Sequence, residues 1–138
     1  MNSRKYKLLI VDDEKTILEL LSDFFKKFGY DVTVTDDPFK AVKIIENGDA
    51  NIVLTDIKMP KMSGIELLKK IKVINGLVQV IIMTGYGSLE NTVECLEMGA
   101  NDYLLKPFKN MDEVRDIVDM TAKKLTRWEN VISDIYVK

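Results

Sequence analysis

Five short apolar runs, each followed by apolar residues at helical spacing, constrain this chain more than any other feature. The runs cover residues 6–11, 31–35, 52–54, 78–83 and 102–105. Each is too short for a buried helix, and most are rich in β-branched residues, so they are expected as strands. The first is followed by Ile17, Leu20, Leu21, Phe24, Phe25 and Phe28, a stripe on one helix face that Gly29 should stop. Asp37 is expected to cap the next helix with Pro38 at its first position, and the stripe Ala41, Val42, Ile44, Ile45 carries it to Asn47-Gly48. Ile65, Leu67, Leu68, Ile71 and Ile74 give a third helix, closed by Asn75-Gly76. Ser88 is an expected N-cap for a fourth, running to Met98 and Gly99, with Glu90 in its first turn. Asn91 stands where a full capping box has Glu or Gln, so that box is partial. A last helix begins near Asp112.

Alternating apolar strands and amphipathic helices imply an α/β domain whose parallel sheet is covered on both faces. Crossovers in such folds are right-handed, so the strands point one way and their carboxyl ends share an edge. That edge collects Asp12 and Asp13, Asp56, Thr84 and Lys106. Three crowded carboxylates repel and call for a cation. The chain has no histidine and one cysteine, which removes His-based catalysis, His or thiolate metal sites and internal disulfides. Cys95 is expected as a small buried apolar residue. An all-oxygen donor set suits a hard ion, Mg²⁺ above others. Beside such an ion Asp56 suits a nucleophile that forms an acyl phosphate, with Thr84 and Lys106 contacting the phosphoryl oxygens. The net charge of −2 shows no basic excess, so direct nucleic-acid binding is not expected. No signal peptide or bilayer-length apolar run is present, and a soluble cytoplasmic protein without membrane contact is expected.

Four fragments then resemble one family. They are Val11-Asp12-Asp13-Glu14, Asp56-Ile57-Lys58-Met59-Pro60-Lys61-Met62-Ser63-Gly64, Met83-Thr84-Gly85-Tyr86-Gly87 and Lys106-Pro107-Phe108. In this order, each at an expected strand end, they resemble the receiver domain of two-component response regulators. The resemblance covers about residues 5–124 and implies a flavodoxin-like, doubly wound five-stranded parallel sheet of order 2-1-3-4-5 with five helices. It implies that Asp56 accepts a phosphoryl group from a phosphohistidine on a sensor kinase or phosphotransfer protein. It implies Asp12, Asp13, Asp56 and the backbone carbonyl of Lys58 as Mg²⁺ ligands, and a cis Lys106-Pro107 bond. Thr84 and Tyr103 map onto the family's switch, with helix 4, strand 5 and helix 5 as the output face toward a downstream protein. Lys58 and Tyr86 occupy the positions that tune phosphoryl lifetime, and a long-lived phosphorylated state like that of sporulation phosphorelay receivers is expected. A phosphohydrolase with an aspartyl-phosphate intermediate is the competing reading, but it usually has a second Asp where Lys58 stands. A receiver cut from a transcription factor is another, although 138 residues leave no room for an effector domain.

Residues 125–138 are expected to extend the last helix beyond the receiver domain of residues 1–124. Val114, Val118, Thr121, Leu125, Trp128, Ile132 and Ile135 form a heptad seam whose second half has no core of its own to cover. Self-association into a homodimer, or contact with a partner helix, is the expected use.

Overall fold

Strands form at all five apolar runs. The computed structural model describes residues 6–85 and 87–137. In chain order the elements are β1 (Lys7–Val11), α1 (Lys15–Lys27), β2 (Asp31–Thr35), α2 (Pro38–Glu46), β3 (Ile52–Asp56), α3 (Gly64–Ile74), β4 (Gln79–Thr84), α4 (Leu89–Glu97), β5 (Asp102–Leu105) and α5 (Met111–Val137). All strand pairs are parallel, in the order β2-β1-β3-β4-β5. This is the expected doubly wound order, and it reverses direction at β1, which sets the carboxyl ends of β1 and β3 side by side.

The sheet separates two apolar layers. Leu9, Val11, Val53, Val80 and Ile82 face α2, α3 and Cys95 of α4. Leu8, Ile10, Leu54, Ile81 and Met83 face α1 and α5, meeting Leu21, Phe25, Val114 and Val118. Burying a side chain such as Phe25 contributes about 2–3 kcal/mol. The expectation of strands buried on both faces holds for β3 and β4, which are buried throughout. It fails at the edges. In β2 only Thr35 is buried and in β5 only Leu104, because an edge strand has one neighbour and helices cover its outer margin poorly.

The helix ends follow their local chemistry. Asp37 accepts from Phe39 N–H, with Pro38 at the first position of α2. Gly29, at φ 87°, follows the Phe28 cap of α1. Ser88 accepts from Asn91 N–H at 3.1 Å without the reciprocal half of a box. A complete box occurs at α3, where Ser63 and Glu66 cap each other's backbone. Cys95 is buried, as expected. No helix among the described residues is long and apolar enough to cross a membrane.

Tyr30, between α1 and β2, ties this side of the domain to α5. Its hydroxyl donates to Asp119 Oδ1 at 2.6 Å, and Arg115 joins Asp119 while lying 3.7 Å over the Phe28 ring. Burial first, then the Asp119 carboxylate, push the Tyr30 phenol well above its ordinary value of 10.0. The folded state therefore holds this proton more tightly than the unfolded chain. The stabilisation is full below pH 10 and is lost as pH rises beyond it. Tyr30→Phe should cost about 1 kcal/mol at pH 8, with a smaller deficit at pH 11. Urea midpoints at the two pH values measure this, and an equal deficit at both would remove the role of the hydrogen bond.

Candidate functional site

The cleft at the carboxyl edge of the sheet is built from strand ends. β1 delivers Asp12 and Asp13, β3 ends on Asp56, and β5 runs into Lys106. Carboxylate oxygens of Asp12, Asp13 and Asp56 all lie within 4.8 Å of one another. Asp12 is fully buried, Asp56 nearly so, and Asp13 is exposed. A cleft of about 940 Å³ opens over them, walled by Ile17, Met59, Pro60, Gly85 and Pro107. Lys58 lies on its rim with an exposed side chain.

One ammonium sits among these acids. Lys106 Nζ lies 2.7 Å from Asp12 Oδ2, 3.2 Å from Glu14 Oε1 and 3.4 Å from Asp56 Oδ2. Burial raises the Asp12 and Asp56 carboxyls above their ordinary range, and Lys106 offsets only part of that. Burial alone would lower the Lys106 ammonium, but the hydrogen bond to Asp12 and the neighbouring negative charges outweigh it, so its affinity for the proton is raised. Three carboxylates thus share one cation, and the Asp13 carboxylate stands beside two of them. Such a donor set, all oxygen and short of positive charge, fits a hard divalent metal ion.

The β3–α3 turn holds Asp56 rigidly. Gly64 N–H donates to Ile57 O at 2.7 Å, which draws the first turn of α3 against the end of β3. A Cβ at Gly64 would overlap the Asp56 carbonyl oxygen and stand 2.9 Å from Ile57 Cα, so only glycine permits this approach. Thr55 Oγ1 donates to the same Asp56 oxygen at 3.0 Å. Lys61 takes a φ of 74° within the turn.

Thr84 is fully buried at the end of β4, one step beyond Met83, the register partner of Asp56. Its carbonyl accepts from Lys106 N–H at 2.8 Å, which continues the β4–β5 ladder to the site. Tyr103 pairs with Ile82 and packs on the α2–α3 layer. Its hydroxyl is buried with no hydrogen-bond partner among the described residues. The Lys106–Pro107 peptide is cis. Tyr86 lies outside the described residues. The fold thus brings Asp12, Asp13, Asp56 and Lys106 together, with Thr84 at the adjoining strand end and Tyr103 further along β5. Glu14 and Gly64 stand in two of the fragments that carry the resemblance but were given no role of their own. The acidic run 12–14 hinted at Glu14, and the fragment ending on Gly64 marks that residue without giving the contact that requires it.

Residues 8–119 match the family model described as "Response regulator receiver domain". Among curated proteins, the chain is 44% identical over 112 residues to sporulation initiation phosphotransferase F of Bacillus subtilis, covering 81% of this chain and 90% of that protein. It is 38% identical over 100 residues to transcriptional regulatory protein ZraR of Escherichia coli, covering 72% of this chain but only 23% of that protein. The chain thus spans about a quarter of such longer relatives. Among solved structures, a response regulator receiver domain protein (CheY-like) from Methanospirillum hungatei superposes with a TM-score of 0.86 at 33% identity, covering 90% of this chain and 98% of the other. The acid cleft, the strand order and these likenesses agree, and the chain belongs to the response regulator receiver domain family.

Proposed function

We propose that Asp56 is the phosphoacceptor and that the chain relays a phosphoryl group from a sensor histidine kinase or histidine phosphotransfer protein. The observation that carries this reading is the nearly buried Asp56 carboxylate at the floor of an open cleft, 3.4 Å from the Lys106 ammonium. Likeness to a protein named as a phosphotransferase supports relay over a stand-alone hydrolase. An Asp56 oxygen attacks phosphorus, the P–N bond of the donor breaks, and its electron pair returns to the imidazole, which takes a proton. The product is an acyl phosphate on Asp56. Asp12, Asp13, Asp56 and the Lys58 backbone carbonyl would hold Mg²⁺. Bound there, the ion supplies charge neutralisation for the transferring group.

Lys106 exchanges its carboxylate contacts for phosphoryl oxygens. Thr84 turns its hydroxyl toward the new dianion, and Tyr103 follows into the space released. The Tyr103 hydroxyl supports this, because a buried donor without a partner among the described residues makes its present state easy to leave. A downstream protein reads the change on α4, β5 and α5, where Leu89, Leu96 and Leu105 are exposed. The chain acts on no independent substrate, and cytoplasmic location follows from the donor it must meet.

Intact mass spectrometry after incubation with acetyl phosphate tests the reading. One phosphoryl adduct is expected with Mg²⁺ and none with chelator. A folded protein that gains no mass overturns it. Decay of that adduct also tests the Lys58 side chain as a shield against attacking water. Lys58→Asn should shorten its lifetime several-fold, and an unchanged decay would release Lys58 from that role.

A further inference from the structure

The helix α5 outruns the body it packs on. Val114, Val118, Thr121 and Leu125 are buried along one stripe. Tyr6, at the start of the sheet, still reaches the next turns: its hydroxyl lies 2.6 Å from Thr126 Oγ1 and donates to Glu129 Oε1 at 2.9 Å. Past Leu125 the same stripe continues with Trp128 (51% exposed), Ile132 and Ile135 (65% exposed). The helix stays continuous to Val137. A helix held at one end, with its apolar seam continuing past the body, presents a preformed half of a helix–helix contact.

The edge of this seam carries a charge signature. Lys124, one turn before Trp128, bonds to Asn101 Oδ1 at 3.0 Å. Lys72 donates to the Val78 carbonyl at 2.8 Å. Asn101 N–H in turn bonds to Val80 O, so the two lysines anchor at neighbouring points below β4 and β5. Neither contacts a carboxylate among the described residues. The Lys72 ammonium is weakened, by burial first and then by the Lys124 charge. Lys124 stands one turn before the exposed part of the seam and its charge reaches Lys72, so this end of the seam calls for an anionic neighbour.

A second copy of the chain fits this surface poorly. In an antiparallel pair that sets Trp128 against the second copy's Ile132, the flank brings Glu129 against its own counterpart. In a parallel pair the body buried under Leu125 would occupy the axis between the helices. We propose that the last three turns of α5 dock an amphipathic helix of another protein, apolar along Trp128, Ile132 and Ile135 and acidic at the end that reaches Lys124. This surface lies at the amino ends of the strands, away from Asp56, so docking and phosphoryl transfer leave each other's residues free.

Trp128 is the sole tryptophan, so its emission reads this surface directly. Two synthetic helical peptides with the same leucine seam serve as probes, one flanked by Glu and one by Lys. The Glu-flanked peptide should shift the emission to the blue, saturably and at least tenfold more tightly than the Lys-flanked one. Lys124→Glu, an exposed change, should erase or reverse that preference. Equal affinity for both peptides, or no shift with either, overturns the proposal. So does a blue shift that grows with protein concentration alone and is matched by a doubled mass in light scattering, because a second copy would then be the occupant.

Discussion

Asp56→Asn takes up no phosphoryl group from acetyl phosphate at any Mg²⁺ concentration, and its ion-free form melts at a higher temperature than the wild type. The first outcome follows from chemistry. An amide has no anionic oxygen to attack phosphorus, and no other carboxylate in the cleft combines near-complete burial, an open approach and the Lys106 contact. Asp12 is fully buried and bonded to both Lys106 and Glu14 N–H; Asp13 is exposed beyond the ammonium's reach. The second outcome follows from electrostatics. The substitution keeps the shape of the side chain and removes one charge from a group of three carboxylates within 4.8 Å. Lys106 loses its 3.4 Å partner but keeps the closer Asp12 and Glu14. Relief of repulsion and desolvation therefore exceeds the attraction lost, by about 1 kcal/mol, or roughly 3–5 °C for a domain of this size. Adding Mg²⁺ should narrow the gap, because the wild type gains more from the ion. Intact mass and thermal melts with and without chelator read both outcomes. An adduct of unchanged yield on the variant would place the acceptor elsewhere. A lower melting temperature in chelator would mean that the Lys106–Asp56 pair outweighs the repulsion.

How much of this was legible in the sequence depends on whether the cause was local. The runs that became β1, β3 and β4 could be read directly, because strands buried on both faces leave no polar alternation. β2 and β5 were harder to describe, since their exposure depends on which strands end at the sheet margin. The meeting of Asp12, Asp13, Asp56 and Lys106 followed from one topological rule, that parallel strands bring their carboxyl ends to one edge. The number of groups sharing Lys106 did not follow from it. Glu14 enters only because the turn after β1 bends back over the cleft. The α5 seam was visible as a heptad pattern, yet the Tyr6 latch joins residues 120 and 123 positions apart and leaves no local trace. Gly64 stands in a legible fragment, but its identity is dictated by a backbone atom eight positions earlier.

That glycine carries the largest stability effect expected in the chain. Gly64→Ala should lower stability by about 3 kcal/mol and the melting temperature by roughly 10 °C. Helix propensity alone argues the other way, since alanine at the first turn of α3 is favoured by up to about 1 kcal/mol. Contact decides the sign. The new methyl meets backbone, the Asp56 carbonyl and Ile57 Cα, and backbone cannot rotate aside as a side chain can. To relieve it, α3 must withdraw from β3, which breaks the 2.7 Å bond from Gly64 N–H to Ile57 O. Withdrawal also moves Asp56, because the displaced carbonyl belongs to the residue whose carboxylate faces Lys106. The variant should therefore lose phosphorylation rate by tenfold or more even at temperatures where it remains folded. Two measurements separate the causes. Circular dichroism melts give the stability loss, and adduct formation at 10 °C gives the rate in folded protein. A variant that melts near the wild type would mean the turn relaxes cheaply. A destabilised variant phosphorylated at the wild-type rate would mean that the Asp56 carboxylate is positioned by Lys106 and the metal rather than by the turn behind it.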